Sequence, residues 1–250
     1  MSIELREVRK TFPGKVVLDD VSLRVEEGET LAVIGFSGSG KSVMLKLIVR
    51  LLASDGGSIT VDERDVASLT KEELYALRRH VGYVFQFAAL FDSMTVFDNV
   101  AMGLRRMGTL DEAEIAKRVA ESLSRVEMSG YENRMPGQLS GGQRKRVGLA
   151  RAIATQPKYL LYDEPTTGLD PVTTAVIDHL IVKMARELGV TSVVVTHDMK
   201  SAFRVADRIA LLYEGRIRFA GTPEAIRNAD DPVVRGFIEG IPDLAREGAA

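Results

Sequence analysis

The sequence predicts an α/β fold with an inserted helical segment. An apolar strand, TLAVIG, leads straight into the glycine-rich stretch GFSGSGKS at residues 35–42. Short apolar strand patterns alternate with helical patterns before about residue 87 and again after about residue 157. Between these parts, residues 87–138 show helical patterns and no strand pattern, which indicates an insertion.

The elements follow in order along the chain. Three strands are predicted at the N-terminus, at 3–10, 21–28 and 30–35, and a helix follows the glycine-rich stretch over 42–52. A helix begins after Thr70, a good N-cap, and strands at 57–63 and 80–86 precede and follow it. The insertion contains helices at 96–107 and 111–126, the second with an apolar stripe at Ile115, Val119, Leu123 and Val126.

The alternating pattern then resumes. A helix starts at Ser140 and another at about Val172, and four strands are predicted at 158–164, 190–197, 208–214 and 216–221. Thr222 caps a further helix that has Pro223 as its first residue. Residues 244–250 are predicted to be frayed.

Composition excludes several classes of protein. A formal net charge of −2 gives no general attraction to nucleic acid, so no nucleic-acid partner is expected. The absence of cysteine excludes disulfides and thiolate metal sites. The charged start does not resemble a signal peptide, and no apolar run approaches the ~20 residues of a membrane span. If the protein works at a membrane, another chain must hold it there.

The stretch GFSGSGKS fits the phosphate-loop pattern G-x-x-x-x-G-K-[ST] and stands between a strand and a helix. Its glycines let the backbone curl around phosphates, Lys41 places a positive charge on them, and the Ser42 hydroxyl suits Mg²⁺. A nucleotide and Mg²⁺ are therefore the expected ligands, and a ligand-free glycine turn is the alternative. The expected nucleotide contacts in the loop are Gly35, Ser37, Gly38, Ser39, Gly40, Lys41, Ser42 and Val43.

The strand YLLYDEP supplies two carboxylates at its end. Asp163 is placed to hold Mg²⁺, usually through water, and Glu164 to polarise a water that attacks the γ-phosphate. Without the phosphate loop, an exposed acidic turn would explain both residues equally well.

Three other residues have a functional and an ordinary structural interpretation. His197 ends a strand and is placed to reach the γ-phosphate, although a strand-end histidine is more often structural. Gln86, at another strand end, is a candidate for contact with Mg²⁺ or the lytic water. Phe12 precedes a PGK turn and is a candidate for stacking on adenine, or else a core residue.

The stretch LSGGQRKR, residues 139–146, contains a second anion-binding helix start. Ser140 is a helix N-cap, and Gly141 and Gly142 leave backbone N–H groups open to an anion. A plain P-loop kinase or GTPase leaves this second site unexplained. The three basic residues from Arg144 to Arg146 are interpreted as a solvated face.

These motifs together identify the chain as a member of a known family. GFSGSGKS, Gln86, LSGGQ, YLLYDEP, TTGLD and VVTHD, in this order, resemble the ATP-binding subunit of ABC transporters across nearly the whole chain. The resemblance implies a P-loop NTPase fold with a RecA-like core at 1–86 and 158–228 and an N-terminal antiparallel β subdomain. It also implies a helical subdomain at about 87–157 and a C-terminal tail at 229–250.

The resemblance also implies roles for individual residues. LSGGQ of one subunit, including Gln143, closes over the ATP held by the phosphate loop of the other, in a head-to-tail homodimer with two shared sites. By its place in the motifs, Glu164 resembles the residue that acts as general base in the family. His197 likewise resembles the family's switch histidine. By the same resemblance, Asp170 communicates between the sites, Gln86 is the hinge before the helical subdomain, and Phe12 stacks on adenine. Val43 departs from the threonine of many relatives.

A narrower resemblance concerns the transported substrate. FQFAALFDSMTVFDNVAMGL, residues 85–104, is similar to the Mla and MCE-type lipid transporter ATPases, also known as toluene-tolerance or organic-solvent-resistance proteins. Gln143 neither supports nor opposes this narrower assignment, since that group often has methionine at this position. The implied partners are an MlaE-type permease, an MCE-domain lipid-binding protein and, in some systems, a STAS-domain subunit, with the ATPase peripheral on the cytoplasmic side of the inner membrane.

Other functions stay open at this point. The chain is also compatible with the ATPase of an importer for a polar solute such as an amino acid, or with a soluble ABC ATPase in cluster assembly or repair. A permease-docking surface is predicted after Gln86, and some of its members are expected to fill the core of the insertion. Its eight apolar residues are Phe87, Ala88, Ala89, Leu90, Phe91, Met94, Val96 and Phe97.

Overall fold

The computed structural model describes residues 2–241. Ten strands and nine α-helices are assigned within these residues. In chain order they are β1 Ile3–Phe12, β2 Lys15–Val25, β3 Thr30–Ile34, α1 Lys41–Ile48, β4 Gly56–Val61, β5 Arg64–Asp65, α2 Lys71–Arg79, β6 Val81–Val84, α3 Val96–Met107, α4 Glu112–Arg125, α5 Gly141–Ile153, β7 Tyr159–Asp163, α6 Pro171–Leu188, β8 Thr191–Thr196, α7 Met199–Val205, β9 Arg208–Tyr213, β10 Arg216–Gly221, α8 Pro223–Arg227 and α9 Pro232–Glu239.

The chain forms two compact units, which are described one at a time. The first unit contains the residues up to Leu74 and those from Val193 onward, and the second contains Tyr75–Ser192. The subdomain limits implied by the family resemblance fall at other residues, and those limits stay a prediction.

The first unit contains an antiparallel sheet and part of a mixed sheet. The antiparallel sheet has the strand order β2-β1-β4-β5, which confirms the predicted antiparallel subdomain. In the mixed sheet, β9 lies between β10 and β3, antiparallel to β10 and parallel to β3, and β8 is the next strand after β3. All five residues of β3 are buried, so the strand that leads into the glycine-rich loop is anchored in the core.

Two helices of the first unit, α7 and α9, are absent from the sequence-based prediction. Asp198 caps α7, and Asp231 caps α9, which has Pro232 as its first residue. Both helices pack on an apolar cluster formed by strands β3 and β9. The predicted fraying at 244–250 lies outside the described residues.

The second unit is mainly helical. Strand β6 pairs in parallel with β7, and α5 packs against β6, α3, α4 and α6. Thr95 caps α3 and Asp111 caps α4 with side-chain oxygens. The predicted stripe of α4 is buried, and residues 87–157 contain helices and no strand, so the helical insertion is confirmed. None of the helices within residues 2–241 is both long and apolar enough to cross a membrane.

Candidate functional site

The glycine-rich loop of the first unit connects β3 to α1 and is held by its own lysine. Lys41 is buried, and its ammonium donates to the carbonyl oxygens of Gly35 at 2.8 Å and Phe36 at 3.1 Å. The Phe36 ring in turn packs edge-on against Phe237 of α9, with 4.8 Å between ring centroids. The lysine therefore turns a positive charge into the concave side of the loop.

The loop residues fit a phosphate group. Gly38 and Gly40 have φ values of 78° and 105°, in the left-handed region that glycine adopts without steric cost. The Ser39 hydroxyl is buried, and no residue in the described range offers it a hydrogen-bond partner. At the start of α1 the first backbone N–H groups lack intrahelical acceptors, so they are available for an anion.

Gly35 provides a test of the loop geometry. A β-carbon at this position would lie 2.4 Å from the Leu212 carbonyl oxygen of β9, a backbone atom that cannot move away alone. We expect Gly35→Ala to weaken ATP binding and to lower the free energy of unfolding by about 1–3 kcal/mol. Nucleotide titration and chemical denaturation measure both effects. Gly137→Ala, which adds the same methyl group in open space, is the control; unchanged ATP binding by Gly35→Ala would contradict the expectation.

The β1–β2 hairpin lies beside this loop. Phe12 ends β1 opposite Lys15, whose ammonium lies 3.5 Å from the Gly38 carbonyl oxygen. The Phe12 ring is 37% exposed, so it is not the core residue of the ordinary interpretation. His197 follows β8, the strand beside β3, and is exposed. The first unit thus brings Phe12 close to the glycine-rich loop.

The second unit buries both predicted acidic residues. Asp163 ends β7, and its carboxylate accepts a hydrogen bond from the Tyr83 hydroxyl at 3.1 Å. Burial and this carboxylate raise the pKa of Tyr83, so the phenol keeps its proton and donates it. Glu164 is also buried, and its carboxylate accepts from the Thr167 hydroxyl at 3.3 Å. The interpretation as an exposed acidic turn is therefore wrong.

Ser140 caps α5, as predicted. Its hydroxyl accepts from the Gln143 N–H, and the Gln143 side chain accepts from the Ser140 N–H at 2.9 Å, which forms a capping box. The Gln143 amide also donates to the Tyr131 hydroxyl at 3.2 Å. The side chain of Gln143 therefore fixes the start of the helix.

Asp170 and the first turn of α5 approach each other within the second unit. Asp170 caps α6 by accepting from the Val172 and Thr173 N–H groups, at 2.9 and 3.0 Å, and also accepts from the Thr173 hydroxyl. A β-carbon on Gly142 would lie 2.5 Å from the Thr173 methyl carbon. Glycine at this position therefore lets α5 start directly against the turn that Asp170 organises.

The loop after β6 is tied to α5 by Lys145. This residue is buried, so its interpretation as part of a solvated face is wrong, although Arg144 beside it is exposed. Its ammonium donates to the Gln86 carbonyl oxygen and lies 3.4 Å from the Glu164 carbonyl oxygen. Burial lowers the pKa of Lys145 to about 8, and the nearby carboxylates of Glu164 and Asp163 act in the opposite direction.

Two cations that contact predicted site residues or their loops, one in each unit, were missed by the sequence analysis. Lys15 follows the PGK turn next to Phe12, and its proximity to an aromatic strand end is a signal that could have been used. Lys145, Gly148 and Arg151 follow one another at steps of three residues, which makes each a neighbour of the next on the helix surface. The contacts that connect these two residues to the predicted site residues are with parts of the chain that are distant in sequence.

Comparisons with known proteins agree with this arrangement. The family model described as ABC transporter matches residues 18–167. The chain is 43% identical over 242 residues to the methionine import ATP-binding protein MetN 1 of Pseudomonas putida, which covers 95% of this chain and 72% of the relative. It is 40% identical over 240 residues to the probable ribonucleotide transport ATP-binding protein mkl of Mycobacterium bovis, covering 96% and 67%.

Solved structures that are similar to this chain are also ABC transporter ATP-binding proteins. A dimeric ATP-binding cassette in a post-hydrolysis state, bound to ADP and Pi, is 36% identical with a TM-score of 0.81, covering 88% of this chain and 98% of that chain. The structure of cbiO1 from Clostridium perfringens, part of the ABC transporter complex cbiONQ, is 29% identical with a TM-score of 0.83, covering 99% and 98%. The chain therefore belongs to the ABC transporter family and is an ATP-binding, ATP-hydrolysing subunit of an ABC transporter.

Proposed function

We propose that this ATPase powers a lipid transporter of the Mla/MCE type, with phospholipid as the transported substrate and a separate permease as the membrane channel. The observation that carries the proposal is the run of residues 85–104, which matches the pattern of that group closely between Phe85 and Val100. The partners would be an MlaE-type permease, an MCE-domain lipid-binding protein and a STAS-domain subunit in some systems. The ATPase would lie on the cytoplasmic side of the inner membrane, bound to the permease.

The chemistry of the site is ATP hydrolysis at a site shared by two copies of the chain. Lys41 and the glycine-rich loop would hold the phosphates of one ATP, and Ser140–Gln143 of the second copy would cover its γ-phosphate. Glu164 would accept a proton from the water whose oxygen attacks the γ-phosphorus, as the bond from that phosphorus to the β–γ bridging oxygen breaks. The homodimeric state of the solved cassette bound to ADP and Pi supports this arrangement.

The remaining predicted residues would complete the site. Ser42, Gln86 and Asp163 offer hydroxyl, amide and carboxylate oxygens, the hard donors that Mg²⁺ prefers, so their chemistry fits that ion. When bound, Mg²⁺ would neutralise phosphate charge. Phe12 would stack on adenine, His197 would sense the γ-phosphate, and Asp170 would connect the two sites. The limits of the RecA-like core and the helical subdomain, at residues 86/87 and 157/158, are part of the same proposal.

The surface for the permease would lie on the loop after Gln86. Of the eight apolar residues predicted there, Ala88 and Val96 are buried and belong to the core of the insertion. Phe87 is 79% exposed and Phe91 48% exposed, which is unusual for phenylalanine and favours a partner. We name these two residues, with the exposed Ala89, the loop surface.

A buried asparagine fixes the shape of the loop. The Asn99 side chain accepts from the Phe91 N–H at 2.8 Å and donates to the Phe91 and Thr95 carbonyl oxygens at 3.1 and 2.9 Å. The exposed aromatic rings therefore project from a defined backbone, which suits a groove for a short cytoplasmic helix of a permease. Movement of this loop with ATP binding would transmit force to that helix.

A double variant tests the loop surface. We expect Phe87→Asp with Phe91→Asp to retain ATP binding, because neither ring belongs to the nucleotide site, and to release the ATPase from membranes. Movement of a fluorescent phospholipid in proteoliposomes that contain the whole transporter should be lost. Leu51→Asp, at a leucine that is 52% exposed in the first unit, is the control. Normal membrane association and lipid movement in the double variant would contradict the docking proposal.

A second function is favoured by the relatives named for methionine import. On that alternative, the chain would energise uptake of an amino acid or another polar solute. Purification of the ATPase with its native membrane partners separates the two possibilities. An MlaE-type permease with an MCE-domain protein would support lipid transport, whereas a solute-binding protein and uptake of labelled methionine by the reconstituted complex would overturn it.

A further inference from the structure

Lys145 connects three functional parts of the second unit. Its side chain leaves α5 one turn after the Ser140 cap and reaches the carbonyl oxygens of Gln86 and Glu164. These two acceptors lie 59 residues before it and 19 residues after it in the chain. An ammonium has three donors, so one lysine can hold both carbonyls at the same time.

The same face of α5 holds the rest of the loop. Arg151 donates to the Ala89 carbonyl oxygen at 2.6 Å and to the Ala88 carbonyl oxygen at 2.5 Å. Between the two cations, a β-carbon on Gly148 would lie 3.2 Å from the Ala88 β-carbon, so the helix packs closely on the loop here. Lys145, Gly148 and Arg151 thus form a row at three-residue spacing, which we name the α5 row.

The α5 row faces backbone in unfavourable conformations. Glu164, Ala88 and Ala89 have φ values of 49°, 60° and 47°, in the left-handed region that residues other than glycine rarely adopt. Such conformations persist only where surrounding contacts impose them, and they concentrate at functional sites. Each of the three residues directs its carbonyl oxygen to a cation of the α5 row. The row therefore provides the contacts that these conformations need.

We propose that Lys145 is a positioning residue for ATP hydrolysis. It holds the Gln86 loop and the Glu164 turn at fixed places on α5, so that a displacement of the Ser140 end of the helix carries both with it. Lys145 itself touches neither nucleotide nor water in this role and acts through Gln86 and Glu164. The inference rests on the roles proposed above for those two residues.

The test compares three substitutions at Lys145 in the full chain. Lys145→Met keeps an unbranched side chain of similar length and removes the charge and all three donors. We expect its kcat for ATP to fall by about tenfold, as for a misplaced catalytic group, with little change in the Kd for ATP. Lys145→Arg, which keeps the charge and the donors, should restore part of the rate. Lys145→Gln keeps an uncharged donor and serves as the second loss variant if Lys145→Met folds poorly.

Amide hydrogen exchange provides a readout that does not depend on catalysis. The Ala88 N–H donates to the Phe85 carbonyl oxygen, and the Thr167 N–H donates to the Glu164 carbonyl oxygen. In Lys145→Met, exchange should accelerate at these two amides, while exchange in α4 and α6 stays unchanged. Arg146→Met is the matched control, because this neighbouring cation pairs instead with the exposed Glu127 at 3.3 Å.

The outcomes separate this inference from the proposed function. A Lys145→Met protein with normal kcat and unchanged exchange at Ala88 and Thr167 would overturn the positioning role. Faster exchange throughout the unit, with kcat and Kd changed together, would overturn it as well, since that is the result of general destabilisation. Normal hydrolysis by Glu164→Gln would instead overturn the proposed role of Glu164. A fall in kcat with local exchange changes, beside an inactive Glu164→Gln protein, supports the inference.

Discussion

Replacement of Glu164 by glutamine should lower the rate of ATP hydrolysis by about 100-fold or more, because a neutral amide cannot accept the proton of the attacking water. The buried carboxylate accepts a hydrogen bond from the Thr167 hydroxyl, at 3.3 Å, and an amide oxygen can accept that bond too. The variant should therefore fold normally and keep its affinity for ATP. Steady-state hydrolysis and nucleotide titration, carried out with the partner complex present, measure the two quantities.

The chain offers a close control for this substitution. Glu127 is exposed and also has a left-handed backbone, with φ of 58°, so Glu127→Gln makes the same chemical change in a similar conformation. It should hydrolyse ATP at the normal rate. Lys41→Ala provides the opposite pattern, since loss of the ammonium at the glycine-rich loop should weaken nucleotide binding itself. Near-normal turnover by Glu164→Gln would show that another group accepts the proton.

The second large effect concerns the shared site. With Mg-ATP, Glu164→Gln should shift the protein towards a dimer, because bound ATP joins the copies and is not consumed. Adding Ser140→Arg should abolish that shift, because a bulky cation replaces the small cap where the γ-phosphate of the other copy would lie. Light scattering or sedimentation detects the change in mass. A dimer that persists in the double variant would show that Ser140 does not face nucleotide.

Mixing two inactive variants tests the same site through activity. Ser140→Arg and Lys41→Ala should each be inactive alone, since every site in either homodimer carries one defect. In a random equal mixture, half of the dimers pair the two variants and have one intact site of two, so about a quarter of the normal activity should return. Full activity of Ser140→Arg alone would contradict a head-to-tail arrangement.

Local chemistry was predictable from the sequence. The glycine-rich loop was found because its spacing is a property of eight consecutive residues, and the structure places it between β3 and α1. The caps of α5 and α8, Ser140 and Thr222, were found for the same reason, since a capping oxygen bonds to an N–H three residues away. The helical insertion was found from the stripe of α4, whose period is independent of the rest of the fold.

Features set by distant contacts were not predictable. Lys145 lies among basic residues and looks solvated, yet contacts 59 residues away bury it. The left-handed conformations of Ala88 and Ala89 have no signal in the sequence, and the Arg151 side chain that bonds to both carbonyl oxygens lies 62 or 63 residues away. The short helices α7 and α9 were missed since their stability comes from the core cluster, although Asp198 and Asp231 are visible as caps.

The two cations of the α5 row bond to main-chain oxygens of the loop, and this has a consequence for divergence among transporters. A carbonyl oxygen is present whichever side chain its residue carries, so Lys145 and Arg151 place few demands on side-chain identity at positions such as 87 and 89. If the loop surface binds a permease as proposed, exchange of those exposed side chains would alter which permease is recognised without loosening the loop from the helix. A cassette built in this way can acquire a new membrane partner by surface substitutions while its ATP chemistry stays the same.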